Sequence, residues 1–219
     1  MKVCVLISGS GSNLQALIDA RDEKRIDIDI VSVISNRADA RGLERANKAG
    51  IPTSILDHRG FADRNEFDRA LALLIGSGNP QLVILAGFMR IIGPGVLDPF
   101  NGRIINLHPS LLPLYRGTDT YQRALDAGDR EHGASIHFVT GELDGGPVIS
   151  QVRIPILAGD DKHKLAARLA PMEHRLLVST IEFFTQHRVE SGNAEVFVDE
   201  SRLSRPLLLQ ADDNLLLSQ

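Results

Sequence analysis

What most constrains the fold is a repeated exchange between short, continuously apolar runs and stretches of helical period. Residues 2–7 are too short for a buried helix. They are closed by Ser8-Gly9-Ser10-Gly11-Ser12-Asn13, after which Leu14, Leu17 and Ile18 fall on one helical face. The exchange continues: a strand at 28–35, a helix at 40–49 ending on Gly50, a short strand at 53–56, a helix at 64–75 stopped by Gly76-Ser77-Gly78, and buried strands at 81–86 and 102–105. Such a pattern predicts a parallel, right-handed α/β sheet with binding loops at the strand carboxyl ends, among them residues 9–13 and 106–113.

The first of these loops is a strand, a glycine-rich turn and a helix start in succession. Free N–H groups and the helix dipole favour an anion there, and Ser12 and Asn13 add side-chain donors; a plain N-capped turn is the competing reading. A dinucleotide fingerprint would place glycine or alanine where Leu14 stands and an acidic residue after the next strand, which here ends in Asn36-Arg37. No Gly-Lys-Ser/Thr run suits a nucleoside triphosphate. A single phosphate monoester fits better.

The second loop, Asn106-Leu107-His108-Pro109-Ser110-Leu111-Leu112-Pro113, follows a strand that is expected to run out just before it. Two residues apart on extended backbone, the Asn106 carboxamide and the His108 imidazole point the same way, and Pro109 keeps His108 out of helical geometry. An amide donor beside a group titrating near neutrality suits acyl chemistry. Alone, the pair reads equally as a capped turn and a loop histidine. A third stretch, Thr140-Gly141-Glu142-Leu143-Asp144-Gly145-Gly146-Pro147, sets a carboxylate between glycines. Placed near His108, Asp144 would favour the imidazolium and raise its pKa.

In residue type, order and spacing, Asn106, His108 and Asp144 together resemble the catalytic trio of the folate-dependent formyltransferases, and the likeness covers about residues 1 to 190. The resemblance implies a Rossmann-like formyltransferase fold, α/β, with a mixed, mostly parallel sheet flanked by helices. It implies transfer of the formyl group of 10-formyltetrahydrofolate, a co-substrate, to the amine of glycinamide ribonucleotide in purine synthesis, without a metal. It further assigns the substrate's ribose phosphate to Gly11, Ser12 and Asn13, its ribose hydroxyls to Glu173, and the folate to Arg64, Met89, Arg90, Ile91, Ile92 and the Thr140, Gly141, Glu142, Leu143 turn. The expected organisation is one domain over 1–190, with a phosphate-binding half (1–100) and a catalytic half (101–190), followed by an extension at 191–219.

Two positions depart from the family pattern. Where many members carry histidines, this chain has Gly117-Thr118-Asp119-Thr120-Tyr121, and Gly141 stands where an acidic residue is common. The strands read at 132–139 and 148–154 are joined by a short connection and should pair antiparallel. His132 and His137 face opposite sides of the first of them and are read as structural or supporting groups, not as metal ligands. The longest helical stretch, 161–186, contains Pro171, which should kink or divide it. Residues 196–198 and 207–209 are candidate edge strands or a hairpin, and 211–219 a loosely ordered or interacting tail.

Composition narrows the classes. The chain has 219 residues, 43% of them apolar and 24% charged, with a net charge of -4 and no basic run, which argues against a nucleic-acid surface. A lone cysteine, Cys4, lies in an apolar strand and is read as packing. No run is long enough to span a membrane, and the first apolar run is too short for a secretory signal, so a cytoplasmic monomer or homodimer acting on small molecules is expected. Hydrolysis of formyl-folate and formylation of a tRNA are the neighbouring activities; family members with those activities carry an extra amino-terminal or a basic carboxyl-terminal domain. A ligand-binding module without catalysis is the alternative from another class.

Overall fold

The computed structural model describes residues 1–192 and 194–217. It divides into two compact units, Met1–Asn106 and Leu107–Gln219. Up to the boundary, which falls within the last of these strands, the order is β1 (Lys2–Ile7), α1 (Ser12–Asp22), β2 (Asp29–Ser35), α2 (Arg41–Lys48), β3 (Thr53–Ile55), a 3-10 turn (His58–Gly60), α3 (Arg64–Gly76), β4 (Leu82–Leu85), α4 (Pro94–Leu97) and β5 (Ile104–His108). Every ladder among these strands is parallel, in the spatial order β5-β4-β1-β2-β3. The central strand explains why: Val3, Cys4, Val5, Leu6 and Ile7 are all fully buried, so both faces of β1 are covered, as a parallel sheet requires.

Register places the binding loops. Leu6 pairs with Leu85 and Leu85 with Asn106, so the chain leaves β1 and β4 level with Asn106, on the carboxyl edge. Contrary to expectation, β5 does not stop at residue 105. It runs on through Asn106 and His108, because the ladder to β4 continues to Asn106. The strand gives these two side chains a firmer base than a loop would.

The second unit contains α5 (Thr120–Ala127), β6 (Glu131–Phe138), β7 (Val148–Pro155), α6 (Lys162–Gln186), β8 (Val189–Gly192), β9 (Glu195–Val198), β10 (Ser201–Arg202), β11 (Leu207–Leu209) and β12 (Leu215–Leu217). β6 and β7 pair antiparallel, β7 and β11 parallel, β11 and β12 antiparallel, while β8, β9 and β10 form a separate small antiparallel sheet. The strands are therefore mixed and mostly parallel, flanked by helices. α6 is neither divided nor ended by Pro171, although the proline withholds one N–H from the Ala167 carbonyl. Leu165, Leu169, Leu176, Leu177 and Ile181 bury its apolar stripe, and that burial outweighs the lost bond.

The carboxyl-terminal segment is more ordered than its composition suggests. Arg175 on α6 contacts the Asp213 carboxylate at 2.5 Å and donates to the carbonyls of Gln210 and Ala211. Those contacts hold the β11–β12 turn, and Leu207 is buried. The final two residues of the expected tail, 218 and 219, lie outside the described residues.

Candidate active site

In the second unit, the His108 ring is buried at the end of β5, with Nδ1 3.4 Å from Asp144 Oδ2 and Nε2 2.9 Å from the Tyr115 carbonyl oxygen. It faces two acceptors. A neutral imidazole, with one N–H, satisfies one of them, and an imidazolium both. Burial is the stronger influence, however, and holds the His108 pKa below its ordinary value despite the raising effects of the Tyr115 carbonyl and Asp144. Asp144 does raise the His108 pKa, as its sequence position suggests, but the loss of water around the ring, which the sequence does not give, sets the net direction. His108 is accordingly neutral at rest and poised to gain a second hydrogen bond when it takes a proton.

Asp144 is built to stay ionised. Burial alone would raise its pKa, but His137 (Nε2 to Oδ1, 3.6 Å), the Gly117 N–H (2.9 Å to Oδ2) and the two nearby imidazoles outweigh this and hold it low. The residue has a left-handed φ of 47°, a conformation that aspartate adopts more readily than most side chains. Gly146 is required for a different reason: a Cβ there would sit 1.8 Å from the Phe138 carbonyl oxygen. The turn is thus pressed onto the end of β6, which keeps the carboxylate against the imidazoles.

The loop after His108 is braced from below. The Ser135 hydroxyl on β6 donates to the Ser110 carbonyl and accepts from the Leu112 N–H and the Gln151 amide, while Gln151 also donates to the Leu112 carbonyl. Ser110 spends its hydroxyl on the Leu114 carbonyl, a turn contact that leaves it no role as a nucleophile. The bonds among Ser135, Gln151, Leu112 and the Ser110 carbonyl are buried, so each is worth more than its surface equivalent.

In the first unit, Gly11 caps α1 with φ of 69°, and a Cβ there would lie 2.4 Å from the Gly42 Cα. Only glycine allows α2 to come this close, and the approach brings the Arg45 guanidinium to the Ser10 carbonyl (2.9 Å) and Gln15 (3.0 Å). The first-turn N–H groups of α1, among them those of Ser12 and Asn13, have no helical acceptor, and the Asn13 side-chain oxygen is buried without a partner. The result is an anion cradle with a cation beside it. Arg45 was missed from sequence, since a helix arginine 35 residues away from Ser10 carries no local signal.

The loop after β4 is pinned on both sides: the Met89 N–H donates to the buried Ser8 hydroxyl, itself bonded to Asn36, and Arg64 donates to the Ile91 carbonyl. Met89 and Ile91 are 73% and 58% exposed, an unusual presentation of large apolar groups, whereas Ile92 is buried and offers only its backbone. Arg90 is half-buried. In the second unit, Thr140, Gly141, Glu142 and Leu143 are exposed, with Glu142 ion-paired to Arg116. Glu173, on α6 past Pro171, accepts a hydrogen bond from the Tyr121 hydroxyl at 3.2 Å. Among the described residues, no three His, Cys, Asp or Glu side chains group as a metal site, and no helix is long and apolar enough to cross a membrane.

A parallel α/β sheet with an anion cradle after its first strand, and a histidine–aspartate pair at the end of a later one, is the frame of an acyl-transferring enzyme of the formyl transferase kind. The model of the Formyl transferase family matches residues 1–181, and the chain belongs to that family. It is 47% identical over 203 residues to the phosphoribosylglycinamide formyltransferase of Escherichia coli (strain K12), spanning 93% of this chain and 96% of that protein. The Haemophilus influenzae enzyme of the same name is 41% identical, again over 93% and 96%. Among solved structures, the phosphoribosylglycinamide formyltransferase of Coxiella burnetii superposes with a TM-score of 0.88 at 42% identity, covering 100% of this chain and 99% of that one.

Proposed function

We propose that the protein transfers the formyl group of 10-formyltetrahydrofolate to the amine of glycinamide ribonucleotide, a step of de novo purine synthesis carried out in the cytoplasm. The observation that carries this reading is the buried His108–Asp144 pair, 3.4 Å apart, in a chain that is 47% identical to an enzyme named for that reaction. Ser12, Asn13 and the N–H groups after Gly11 take the ribose phosphate, and Glu173 takes the ribose hydroxyls. Arg64, the Met89–Ile92 backbone and side chains, and Thr140 to Leu143 receive the folate. Both partners are small molecules; no nucleic acid, membrane or metal enters the reaction, and the working form is a monomer or homodimer.

The chemistry follows from the two ionisation states. The neutral amine attacks the formyl carbon, forming a C–N bond and an oxyanion, to which the Asn106 amide donates a hydrogen bond. His108, neutral at rest, takes the proton that the amine sheds, and Asp144 stabilises the imidazolium while it lasts. To reach the substrate, the ring exchanges the Tyr115 carbonyl for the reacting group. The proton then passes to the folate nitrogen as its bond to the formyl carbon breaks, so that the amine loses one proton and the departing nitrogen gains one.

The deciding experiment follows deformylation of formyl-folate with and without glycinamide ribonucleotide. Release that depends on the amine, with a formylated product, supports the transferase; equal release without it makes the protein a hydrolase. Ligand binding without release leaves a binding module and ends the proposal.

A further inference from the structure

Tyr121, near the start of α5, has a partner on another helix. Its hydroxyl, from α5, donates to Glu173 Oε1 on α6, 52 residues further along the chain. The tyrosine is half-buried, and its ring packs against the His132 imidazole of β6 with centroids 5.1 Å apart. His132 therefore lies against the ring and is held by the Pro109 carbonyl. On α6 itself, the neighbouring cation Arg175 is turned away to Asp213. Tyr121 donates a hydrogen bond that bears directly on the Glu173 carboxylate.

We propose that Tyr121 is a positioning residue for the ribose end of the substrate: its hydroxyl fixes the Glu173 carboxylate in the orientation that accepts two ribose hydroxyls. The inference rests on Glu173 being the ribose contact under the proposed function. A carboxylate serves a diol best when both its oxygens are acceptors, which requires that it be ionised. Burial pushes the Glu173 pKa up to about 7, and the Tyr121 hydrogen bond opposes that rise. Removing the hydroxyl leaves burial unopposed, so the carboxyl stays protonated to a higher pH. Substrate affinity should then be lost at a pH where the parent still binds. The tyrosine carries no risk of ionising itself, since burial and the adjacent Glu173 push its own pKa upward.

The test is calorimetric titration with glycinamide ribonucleotide from about pH 5.5 to about pH 8.5, on the parent, Tyr121→Phe and Glu173→Gln. Ionisations of the ligand are common to all three proteins, so differences between profiles report the protein. For Tyr121→Phe the acid limb of affinity should move up by about one pH unit, the usual size of losing a hydrogen bond to a charged group. Affinity should converge with the parent at the alkaline end, and turnover at saturating substrate should stay within about twofold. Tyr121→His, which restores a donor, should recover part of the shift. An unmoved profile in Tyr121→Phe, alongside weakened binding in Glu173→Gln, would make Tyr121 mere packing and overturn the inference while sparing the reading of Glu173. Parent-like binding by Glu173→Gln at every pH would remove the ribose contact itself, and the inference with it.

Discussion

At the scale of single residues, the ionisation states of His108 and Asp144 decide most of what the site does. His108→Ala should lower turnover about 10²–10⁴-fold, the usual worth of a positioned proton carrier, with substrate affinity little changed; steady-state kinetics with both substrates checks this. Asp144→Asn should act through the histidine. Because the carboxylate is among the influences that raise the His108 pKa against burial, its neutralisation should send that pKa lower still. An NMR titration should find His108 below the ordinary 6.5 in the parent and further below in Asp144→Asn; a value above 6.5 in the parent would contradict the neutral resting state.

These residues were legible in the sequence as a set, since an Asn-X-His-Pro stretch and an Asp between glycines stand out from loops of ordinary composition. Their environment was not. Besides burial and His137, the Tyr115 carbonyl and the Gly117 N–H act on the pair, and backbone groups leave no mark in residue type. Contacts made only through the fold, Tyr121 with the Glu173 carboxylate and Arg45 with the Ser10 carbonyl, were equally silent. The sign of the His108 shift required knowing its burial, which a residue's neighbours in sequence do not fix.

Among the elements, α6 carries two loads. Its apolar stripe supports β6 and β7, and its polar side presents Glu173 and Arg175. Glu173 has a folded-state pKa near 7, above the 4.5 of an unfolded chain. Such a group contributes stability that is fully present below 4.5 and is lost as pH rises through 7. Glu173→Gln should therefore raise the Tm of the ligand-free protein at about pH 8.5 relative to the parent, and have little effect at about pH 4.5; paired thermal melts across pH test this. Equal shifts at both pH values would mean that the effect is steric.

Arg175 ties the same helix to the turn between β11 and β12. Residues 207–209 read as an edge strand or part of a hairpin, and 211–219 as a loose or interacting tail, because three leucines in a row announce a strand without naming its neighbour. In the structure β11 lies parallel beside β7, with Leu207 opposite Ser150. Ending the chain after Arg205 should bare that edge of β7 and lower the Tm by several degrees, about 2–4 °C per kcal/mol lost in a chain of this size, as circular dichroism would record. An unchanged melting temperature would show that the pair of strands adds nothing.

For the whole molecule, the alternation of strands and helices was the strongest signal and was carried by burial: a strand covered on both faces reads as an unbroken apolar run. The later strands read less cleanly because they are shorter and half-exposed; β8, whose Val-Glu-Ser-Gly lacks such a run, was not anticipated at all. The same burial that made β1 readable encloses the chain's sole thiol. Cys4 is fully buried, and its removal from water pushes its pKa up to about 11. Reagents that attack thiolates should thus pass over the native protein and react only once it is unfolded, which a timed Ellman titration with and without denaturant would record. The chain is consequently a ready background for site-specific labelling: one engineered cysteine at a surface position would be its single reactive handle for a fluorophore or a spin probe.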